Sequence, residues 1–497
     1  MSDRTHEQGL DRLDPEAVQP SWVAGSPEGP AQPSDVLEVR HPGDGSLVAT
    51  VALASPEQVE GAVAAAVDVA PRLAGTPAHV RAAALDHVAR RLAERADELA
   101  RLITAENGKP LKWARGEVGR AVSVFRWAAE EARRWSGEVQ RLDTDPGGAG
   151  RLAVVRRVPR GPVLGIAPFN FPLNLVAHKI APALAVGAPI VLKPAPKTPL
   201  SALVLGELLA ETDLPAGAVS VLVVPNDRAA ALVADPRLPV VSFTGSGPVG
   251  WGIRDAVPRK HVTLELGGNA AAVVCADWSS DADLDHAAGR IATFGVYQAG
   301  QSCISVQRVL VDASLHDRFV DRLVAAVQAQ RTGSPWDETT DVGPLIDVAA
   351  AERVEAWVDE AVQAGAKVLT GGVRDGASYA PTLLAGVPED AKVSCEEVFG
   401  PVLIVEPVDG VDAAFATVNA SRFGLQAGVF THDLQLAFRA HAELEVGGVV
   451  IGDVPSYRAD QMPYGGAKES GVGREGVRYA MEDFTYERVM VLTGVTV

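Results

Sequence analysis

Cysteine, positive charge and long apolar runs are all scarce in this sequence of 497 residues. Its three cysteines, Cys275, Cys303 and Cys395, are too few for a disulfide scaffold, and an odd number fits a reducing compartment. The 45 Lys and Arg residues against 63 Asp and Glu give a net charge of −18, which would repel a nucleic acid backbone. We see no apolar run of the roughly 20 residues that a membrane helix needs and no apolar signal segment in the first thirty residues. These absences predict a cytoplasmic protein whose partners are neither nucleic acid nor membrane.

The order of the predicted elements indicates an α/β protein. The first residues, to about 32, are rich in Pro, Gly and acidic residues without any period, which predicts a poorly ordered tail. Two short strands follow from Val36, and helical spacing then predicts three helices: Pro56 to about Leu73, His79 to Ala105, and Leu111 to Trp135.

After Gly161, strands rich in Val, Ile and Leu alternate regularly with helices, as in VLGIAPF (163–169) and PIVLK (189–193). Strands that are apolar throughout are typical of a parallel sheet with both faces covered. A second series of this kind runs from Ala270 to about Val450. We therefore expect two parallel α/β domains.

A smaller β element is predicted outside these two series. Residues Glu138–Arg160 have a strand-like period that Pro146-Gly147-Gly148 interrupts, and the terminal VMVLTGV (489–495) has the pattern of a strand with no helix after it. The hairpin could lie between subunits or could be an ordinary surface hairpin. A strand with no covering helix needs a partner for its edge, which favours an oligomer.

The segment Phe243–Gly250 (FTGSGPVG) follows a predicted strand and opens a helix. Glycines at such a turn let backbone N–H groups approach a phosphate, and the helix N-terminus adds partial positive charge. The spacing departs from G-x-G-x-x-G, and a tight turn without function is the alternative.

Cys303 lies among small and polar residues in GQSCIS (300–305), between a predicted helix and a strand. This setting suits an accessible thiol that could act as a nucleophile. A small buried apolar residue is the alternative for any single cysteine. Cys275, in AAVVCAD, is predicted to lie in a core strand and Cys395 in a loop.

Two further side chains could take part in chemistry. Glu265 ends an apolar strand in LELGGN (264–269), where burial would raise its pKa toward the range of a general base. It could equally be an ion-paired residue between domains. Asn170, in PFNFP (168–172), could form an Asx turn or donate its amide to an oxyanion, and the flanking prolines would hold it rigidly.

Eight short motifs, taken together and in order, are more specific than any of these signals alone. They are PFNFP (168–172), LKPAP (192–196), FTGSGPVG (243–250), ELGGN (265–269), GQSCIS (300–305), EEVFGPV (396–402), FGLQAGVFT (423–431) and PYGGAKESGVGREG (463–476). They resemble the motifs of the aldehyde dehydrogenase superfamily, and the resemblance extends from about Val36 to Val497. Residues 453–466 look most like members that act on lactaldehyde or phosphonoformaldehyde.

The resemblance implies an aldehyde dehydrogenase-like fold, with a Rossmann-like cofactor domain, a catalytic domain and a small β element for oligomerisation. It also implies a homodimer or homotetramer. The implied boundaries are a tail at 1–35, the cofactor domain at 36–135 and 159–262, the catalytic domain at 263–455, the oligomerisation hairpin and strand at 136–158 and 484–497, and a C-terminal return to the cofactor-domain side at 456–483.

The resemblance also implies catalytic roles. Cys303 would attack the aldehyde, Asn170 and the Cys303 backbone N–H would hold the oxyanion, and Glu265 would activate water to release the acid from a thioester. Lys179 matches a family lysine near the catalytic pocket. Tyr486-Glu487 departs from the pattern of many relatives, which leaves a second proton-relay carboxylate unassigned.

NAD or NADP is the implied cofactor, and we assign no metal ligands. The implied cofactor contacts are Lys193, Ala195, Pro196, Gly245, Ser246, Gly250, Leu266, Gly267, Glu397 and Phe399. Relatives that prefer NAD usually carry Glu where this chain has Pro196. That glutamate would repel a 2′-phosphate, so we expect NADP to be accepted, with Lys193 and Lys197 as sources of positive charge.

The implied substrate tunnel contains Phe171, His178, Tyr297, Arg458 and Tyr464. Relatives that oxidise succinate semialdehyde carry arginines where this chain has His178 and Tyr297. Neither imidazole nor phenol binds a carboxylate as an arginine fork does. We therefore expect an aromatic or short hydroxylated aldehyde and not succinate semialdehyde. If Arg458 reaches a distal anion, small phosphonate- or carboxylate-bearing aldehydes would be favoured instead.

Two alternatives to an acid-forming dehydrogenase follow from the same residues. In the CoA-acylating branch, CoA replaces water, but those relatives commonly lack a carboxylate at the position of Glu265. A non-catalytic binding or structural protein on this fold would be favoured by loss of Cys303, Asn170 or Glu265, and all three are present.

Overall fold

The computed structural model of the chain describes residues 17–495, and it has the predicted α/β architecture with parallel sheets. The helices in this range are α1 Pro56–Gly75, α2 Ala78–Glu94, α3 Ala96–Asn107, α4 Leu111–Arg134, α5 Asn174–Val186, α6 Leu200–Ala210, α7 Ala229–Ala234, α8 Gly247–Ala256, α9 Asp281–Val296, α10 His316–Gln328, α11 Val348–Gln363, α12 Lys392–Cys395, α13 Gly410–Asn419, α14 Leu434–Glu443 and α15 Val477–Asp483. Short 3₁₀ turns lie at Pro146–Gly148, Asn226–Arg228 and Tyr297–Gly300.

The strands are β1 Val18–Gln19, β2 Ser21–Val23, β3 Ser26–Glu28, β4 Val36–Arg40, β5 Leu47–Ala52, β6 Glu138–Arg141, β7 Arg151–Pro159, β8 Val163–Ile166, β9 Ile190–Lys193, β10 Val219–Val221, β11 Val240–Thr244, β12 His261–Glu265, β13 Ala271–Val274, β14 Arg308–Asp312, β15 Lys367–Thr370, β16 Arg374–Asp375, β17 Ser378–Tyr379, β18 Thr382–Ala385, β19 Val402–Val408, β20 Phe423–Gly424, β21 Gln426–Phe430, β22 Gly448–Ile451, β23 Ala467–Lys468, β24 Gly471–Val472 and β25 Thr485–Thr493.

The first large sheet has the order β24-β12-β11-β8-β9-β10-β2-β3, and its strands from β8 to β12 are parallel. Its register places Lys193, Thr244 and Glu265 along one edge, because Ile166 pairs with both Lys193 and Phe243 while Thr244 pairs with Glu265. This edge is formed by the carboxyl ends of the strands, where open α/β sheets bind their ligands.

The second large sheet has the order β15-β18-β19-β14-β13-β21-β22. Its strands are parallel except β15, which is antiparallel to β18. The chain returns to the first sheet near its end: β24 pairs antiparallel with β12, and α15 packs against α5.

The prediction of a poorly ordered tail to about residue 32 is wrong from residue 17 onward, where the chain forms strands β1 to β3. Residues 1–16 lie outside the described range. Strand β2 joins the first sheet, where Trp22 pairs with Val221. The Trp22 ring lies against Gly206, at which a Cβ atom would come within 2.5 Å of it. A few buried side chains hold this segment in place. Its strands are only two or three residues long, too short to show a periodic pattern of apolar residues in the sequence.

Two other local features refine the sequence analysis. The long helix predicted from His79 to Ala105 is divided at Arg95, whose side chain pairs with Glu98 and Glu207. The predicted hairpin and terminal strand form one antiparallel sheet of order β25-β7-β6. Within residues 17–495, no helix combines the length and apolar character needed to cross a membrane.

Candidate active site

A cavity of about 870 Å³ lies at the carboxyl edge of the first sheet. Most of the predicted site residues line it: Asn170, Lys193, Ala195, Pro196, Gly245, Ser246, Glu265, Leu266, Gly267, Cys303, Glu397, Phe399, Arg458 and Tyr464. Residues from both α/β series thus meet around one cavity. Arg353, Asn226 and Glu475 also line it, and the sequence analysis had not selected them.

Cys303 follows a strained loop. Gln298 and Ala299 have φ angles of 57° and 53°, in the left-handed region that non-glycine residues rarely adopt. The Gln298 side chain donates to Asn107 over 2.5 Å, which helps hold this backbone in place. The Cys303 thiol is partly exposed, and desolvation raises its pKa to about 12, opposed by a hydrogen bond to Tyr464. The loop therefore presents a thiol to the cavity at a fixed point.

The amide of Asn170 lies beside the same loop. Its Nδ2 donates to the Gln301 carbonyl oxygen over 2.9 Å, and its backbone oxygen accepts a hydrogen bond from Lys109 over 2.9 Å. Each amide nitrogen carries two N–H donors, so one remains available to a ligand. A donor held by the backbone in this way suits the stabilisation of an oxyanion.

Glu265 is the last residue of β12 and is buried, with 3% of its surface exposed. Among the described residues, neither of its carboxylate oxygens has a hydrogen-bond partner. Burial, together with the nearby charge of Glu475, raises its pKa well above the usual value. A buried carboxyl with free oxygens and a raised pKa has the properties of a general base.

Behind this carboxylate lies a buried ionic cluster. Lys179, on α5, is 3.3 Å from Glu475 and also donates to Ser242 and Thr244. Glu475 is also 3.0 Å from Arg458. Burial opposes ionisation of Glu475, but Lys179 and Arg458 outweigh it and hold its pKa at about 2. Glu475 is not among the site residues predicted from sequence, although it lies within the last motif.

Glu487 lies outside the lining of this cavity. The sequence pattern around it had left a second proton-relay carboxylate unassigned. Glu487 is exposed on β25 and forms an ion pair with Arg157 over 3.1 Å.

Around Gly245 and Gly267, which line another part of the cavity, the backbone lies unusually close to neighbouring side chains. A Cβ atom on Gly267 would lie 2.0 Å from Glu397 Oε2, one on Gly245 would lie 2.6 Å from the Phe243 ring, and one on Gly250 would lie 2.4 Å from Leu266. Ser246 precedes the first turn of α8, whose N-terminus faces this part of the cavity. The three glycines are needed because Glu397, Phe243 and Leu266 fill the space beside them. It is the N-terminus of α8, with Gly245 and Ser246 in the cavity lining, that fits the pyrophosphate of a dinucleotide.

Glu397 and Phe399 lie between α12 and β19, the latter a strand of the second large sheet. The Gly268 N–H donates to Glu397 over 3.1 Å, and burial raises the pKa of this carboxyl to about 7. Phe399 has a φ of 49° and its ring contacts that of Phe169 edge-on at 5.9 Å. Strain at a non-glycine residue is common where a ligand must be positioned.

Lys193, a predicted cofactor contact, lines the same cavity. It donates to Asn226 over 2.9 Å, and burial lowers its pKa to about 8. Pro196 lines the cavity nearby. Lys197 pairs with Asp347 at the surface, and its supply of positive charge to the cofactor stays a prediction.

The remaining predicted tunnel residues pack around this site, outside the cavity lining of the described chain. The rings of Phe171 and Tyr297 are 6.0 Å apart. His178 is buried between Arg458 and Asp460, each 3.4 Å away, and Asp460 is paired with Arg120 over 3.0 Å. Burial and the charge of Arg458 lower the pKa of His178 to about 4, so its imidazole is neutral at neutral pH. That Phe171, His178 and Tyr297 contact substrate stays a prediction.

The sequence profile of the Aldehyde dehydrogenase family matches residues 30–490. The chain belongs to this family. The 3-sulfolactaldehyde dehydrogenase of Priestia aryabhattai is 44% identical over 445 residues, which cover 89% of this chain and 92% of that protein. This aldehyde dehydrogenase is thus an enzyme, as the sequence predicted.

Solved structures agree with the fold and the cofactor. Aldehyde dehydrogenase 21 from Physcomitrella patens, in complex with the reaction product succinate, is 43% identical, with a TM-score of 0.94 over 97% of this chain and 99% of that one. NADP-dependent glyceraldehyde-3-phosphate dehydrogenase from Bacillus halodurans, complexed with NADP, is 34% identical, with a TM-score of 0.92 over 97% of this chain and 100% of that one. The predicted aldehyde dehydrogenase-like fold and the NAD or NADP cofactor are confirmed.

Proposed function

We propose that this aldehyde dehydrogenase oxidises a short anionic aldehyde to the free carboxylic acid, through a thiohemiacetal and then a thioester on Cys303. The observation that carries the proposal is that a thiol, an amide donor and a buried carboxylate without hydrogen-bond partners line one cavity. These are the nucleophile, oxyanion donor and base that the reaction needs.

The Cys303 thiol loses its proton to solvent, the thiolate sulfur forms a bond to the aldehyde carbon, and the carbon–oxygen π bond breaks to leave an oxyanion. The free N–H of Asn170 and the backbone N–H of Cys303 stabilise this charge, and one such donor contributes about 2.7–4 kcal/mol. When bound, the nicotinamide supplies a hydride acceptor for the C–H hydrogen, which leaves a thioester. Lys193, Glu397 and Phe399 position the cofactor.

Hydrolysis completes the cycle. Glu265 takes a proton from water, the water oxygen attacks the thioester carbon, and the carbon–sulfur bond breaks to release the acid. The buried position of Glu265, with both oxygens free, supports water rather than CoA as the acyl acceptor. CoA acylation remains the alternative that product analysis must exclude.

The proposed anionic group of the substrate is inferred from Arg458. This side chain lines the same cavity as Cys303, and its buried Nε has no hydrogen-bond partner among the described residues. A buried guanidinium N–H without a partner suits a carboxylate or sulfonate. The substrate named for the Priestia relative carries a sulfonate, and the Physcomitrella structure holds succinate, a dicarboxylate. Succinate semialdehyde was disfavoured because His178 and Tyr297 stand where relatives carry arginines. In this proposal Arg458 supplies the missing positive charge.

We expect 3-sulfolactaldehyde or succinate semialdehyde to have a kcat/KM about tenfold or more above lactaldehyde and benzaldehyde, because a hydrogen bond to a charged group contributes about 1.5–3 kcal/mol. Formation of reduced nicotinamide would be followed for all four, and the product identified with and without CoA. Arg458→Lys should lower kcat/KM for the anionic aldehydes more than for lactaldehyde. A tenfold preference for a neutral aldehyde would refute the substrate class, and an acyl-CoA product would refute hydrolysis.

We expect NADP to be used at least as efficiently as NAD, since Pro196 has no carboxylate to repel a 2′-phosphate. Values of kcat/KM for both cofactors would test this, and a thousand-fold preference for NAD would contradict it. Pro196→Glu is the matched variant. It should retain NAD and lose about tenfold or more of its kcat/KM with NADP, the scale of one charged hydrogen bond.

We also propose a homodimer or homotetramer that forms through the sheet of β6, β7 and β25. Strand β25 lies at the edge of that sheet. The sheet exposes apolar side chains, as an interface does: Val139, Val489, Met490, Val491 and Leu492.

A further inference from the structure

The hydroxyl of Tyr464 contacts the sulfur of the proposed nucleophile. Its Oη lies 3.0 Å from Cys303 Sγ, and the two atoms form a hydrogen bond. From sequence, Tyr464 was predicted only to line the substrate tunnel. Because its hydroxyl contacts the sulfur that would react, Tyr464 can also take part in the chemistry.

The position of Tyr464 is fixed from two sides. Its backbone N–H donates to the Glu475 carbonyl oxygen over 3.0 Å, and the Glu475 N–H donates back over 2.6 Å. The guanidinium carbon of Arg458 lies 3.8 Å from the centroid of the Tyr464 ring. The ring is buried, with 3% of its surface exposed. A hydroxyl held in this way needs little reorganisation when charge develops on the sulfur.

We propose that Tyr464 is a catalytic residue, whose hydroxyl donates a hydrogen bond to the Cys303 thiolate and so favours the reactive form of the nucleophile. The proposal rests on the proposed function of Cys303. It differs from the proposed roles of Asn170 and Glu265, which act on the oxyanion and on water, because Tyr464 acts on the sulfur before the aldehyde is attacked.

The charges around the sulfur explain why such a donor is needed. Desolvation and the carboxylates of Glu397 and Glu265 raise the pKa of Cys303, whereas Tyr464 and Arg458 lower it. Burial, with the charge of Cys303, also raises the pKa of the Tyr464 phenol well above its usual value. The phenol is therefore protonated at neutral pH and can donate to the sulfur. A cation over an aromatic ring draws electron density from it, and Arg458 thereby strengthens that donor.

Tyr464→Phe removes the hydroxyl and keeps the ring against Arg458, so it tests the hydrogen bond alone. A hydrogen bond to a charged group corresponds to a pKa shift of about one to two units. Part of the loss in thiolate is offset because a more basic thiolate is more nucleophilic, and we expect alkylation of Cys303 by iodoacetamide to slow about three- to tenfold at fixed pH. Mass spectrometry of the Cys303 peptide would measure this rate across pH.

Two controls accompany this measurement. Cys395 is an exposed thiol in the same molecule, and its alkylation rate should not change. Tyr457→Phe removes a phenol hydroxyl from an exposed residue of the loop before Tyr464 and should leave the Cys303 rate as it is. An unchanged Cys303 rate and pH profile in Tyr464→Phe would refute the proposal.

Rapid mixing with aldehyde and cofactor separates this inference from the function on which it rests. In Tyr464→Phe the first burst of reduced nicotinamide should slow about three- to tenfold, for the same reason as alkylation. A burst at the wild-type rate would also refute the proposed role in activating the nucleophile. If Cys303→Ala retained turnover, the nucleophile itself would be wrong, whatever the result for Tyr464.

Discussion

Cys303→Ala is expected to lower dehydrogenase activity by about 10,000-fold or more, the scale on which loss of a nucleophile acts in enzymes that form covalent intermediates. The variant has no atom that can bond to the aldehyde carbon. The other thiols do not substitute for it, because neither lines the cavity: Cys275 is buried just after β13, and Cys395 is exposed at the end of α12. Initial rates of nicotinamide reduction would measure the loss.

Cofactor binding should survive the same substitution, because the predicted contacts at Lys193, Glu397 and Phe399 are untouched. Quenching of tryptophan fluorescence by NADP would show this and would also confirm a folded protein. Cys395→Ala is the matched control, with the same atoms removed outside the cavity, and should keep wild-type activity. Turnover retained by Cys303→Ala would exclude the covalent mechanism.

Some of the site could be predicted from sequence because local rules place it. A strand that ends in Glu265 and is followed by two glycines must present that carboxylate at the carboxyl edge of a parallel sheet. The same holds for Lys193 at the end of β9. Cys303 could be selected because its neighbours differ from those of Cys275 and Cys395. For each of these three residues, the sequence within a few positions on either side is enough to predict its place in the site.

The ionic cluster could not be predicted in this way. Lys179 and Glu475 are 296 residues apart in sequence, and only the packing of α5 against the C-terminal return brings them together. The contact between Tyr464 and Cys303 spans 161 residues. Likewise, Gln298 gives no local sign of its positive φ, because the strain depends on contacts such as that with Asn107. Long-range packing decides these features.

Glu265→Gln is expected to leave the first half-reaction intact and to slow the second. Glutamine keeps the size of the side chain but accepts no proton from water, and loss of a general base typically costs about 100- to 10,000-fold. Rapid mixing should therefore show a burst of reduced nicotinamide close to one per active site, followed by a low steady rate. Hydroxylamine, which attacks thioesters without a base, should restore turnover and yield a hydroxamate.

The pH dependence gives a second, independent measure of the same variant. Because burial raises the pKa of Glu265, and only its ionised form accepts a proton, steady turnover of the wild type should rise with pH through a midpoint above 4.5, the usual value. Glu265→Gln should lack that rise. Glu487→Gln changes an exposed carboxylate on β25 in the same way, and should keep both the burst and the wild-type pH profile.

Full turnover in Glu265→Gln would require another base near the thioester, and Glu475 is the other carboxylate of the buried cluster. Its ion pairs with Lys179 and Arg458 make it a poor proton acceptor, since they hold its pKa at about 2. A base at Glu475 would then give a rise in activity centred near pH 2 rather than above 4.5. The position of the acidic limb therefore separates Glu265 from Glu475. Glu397→Gln tests the third carboxylate of the cavity, whose pKa is raised to about 7, and should leave the acidic limb in place.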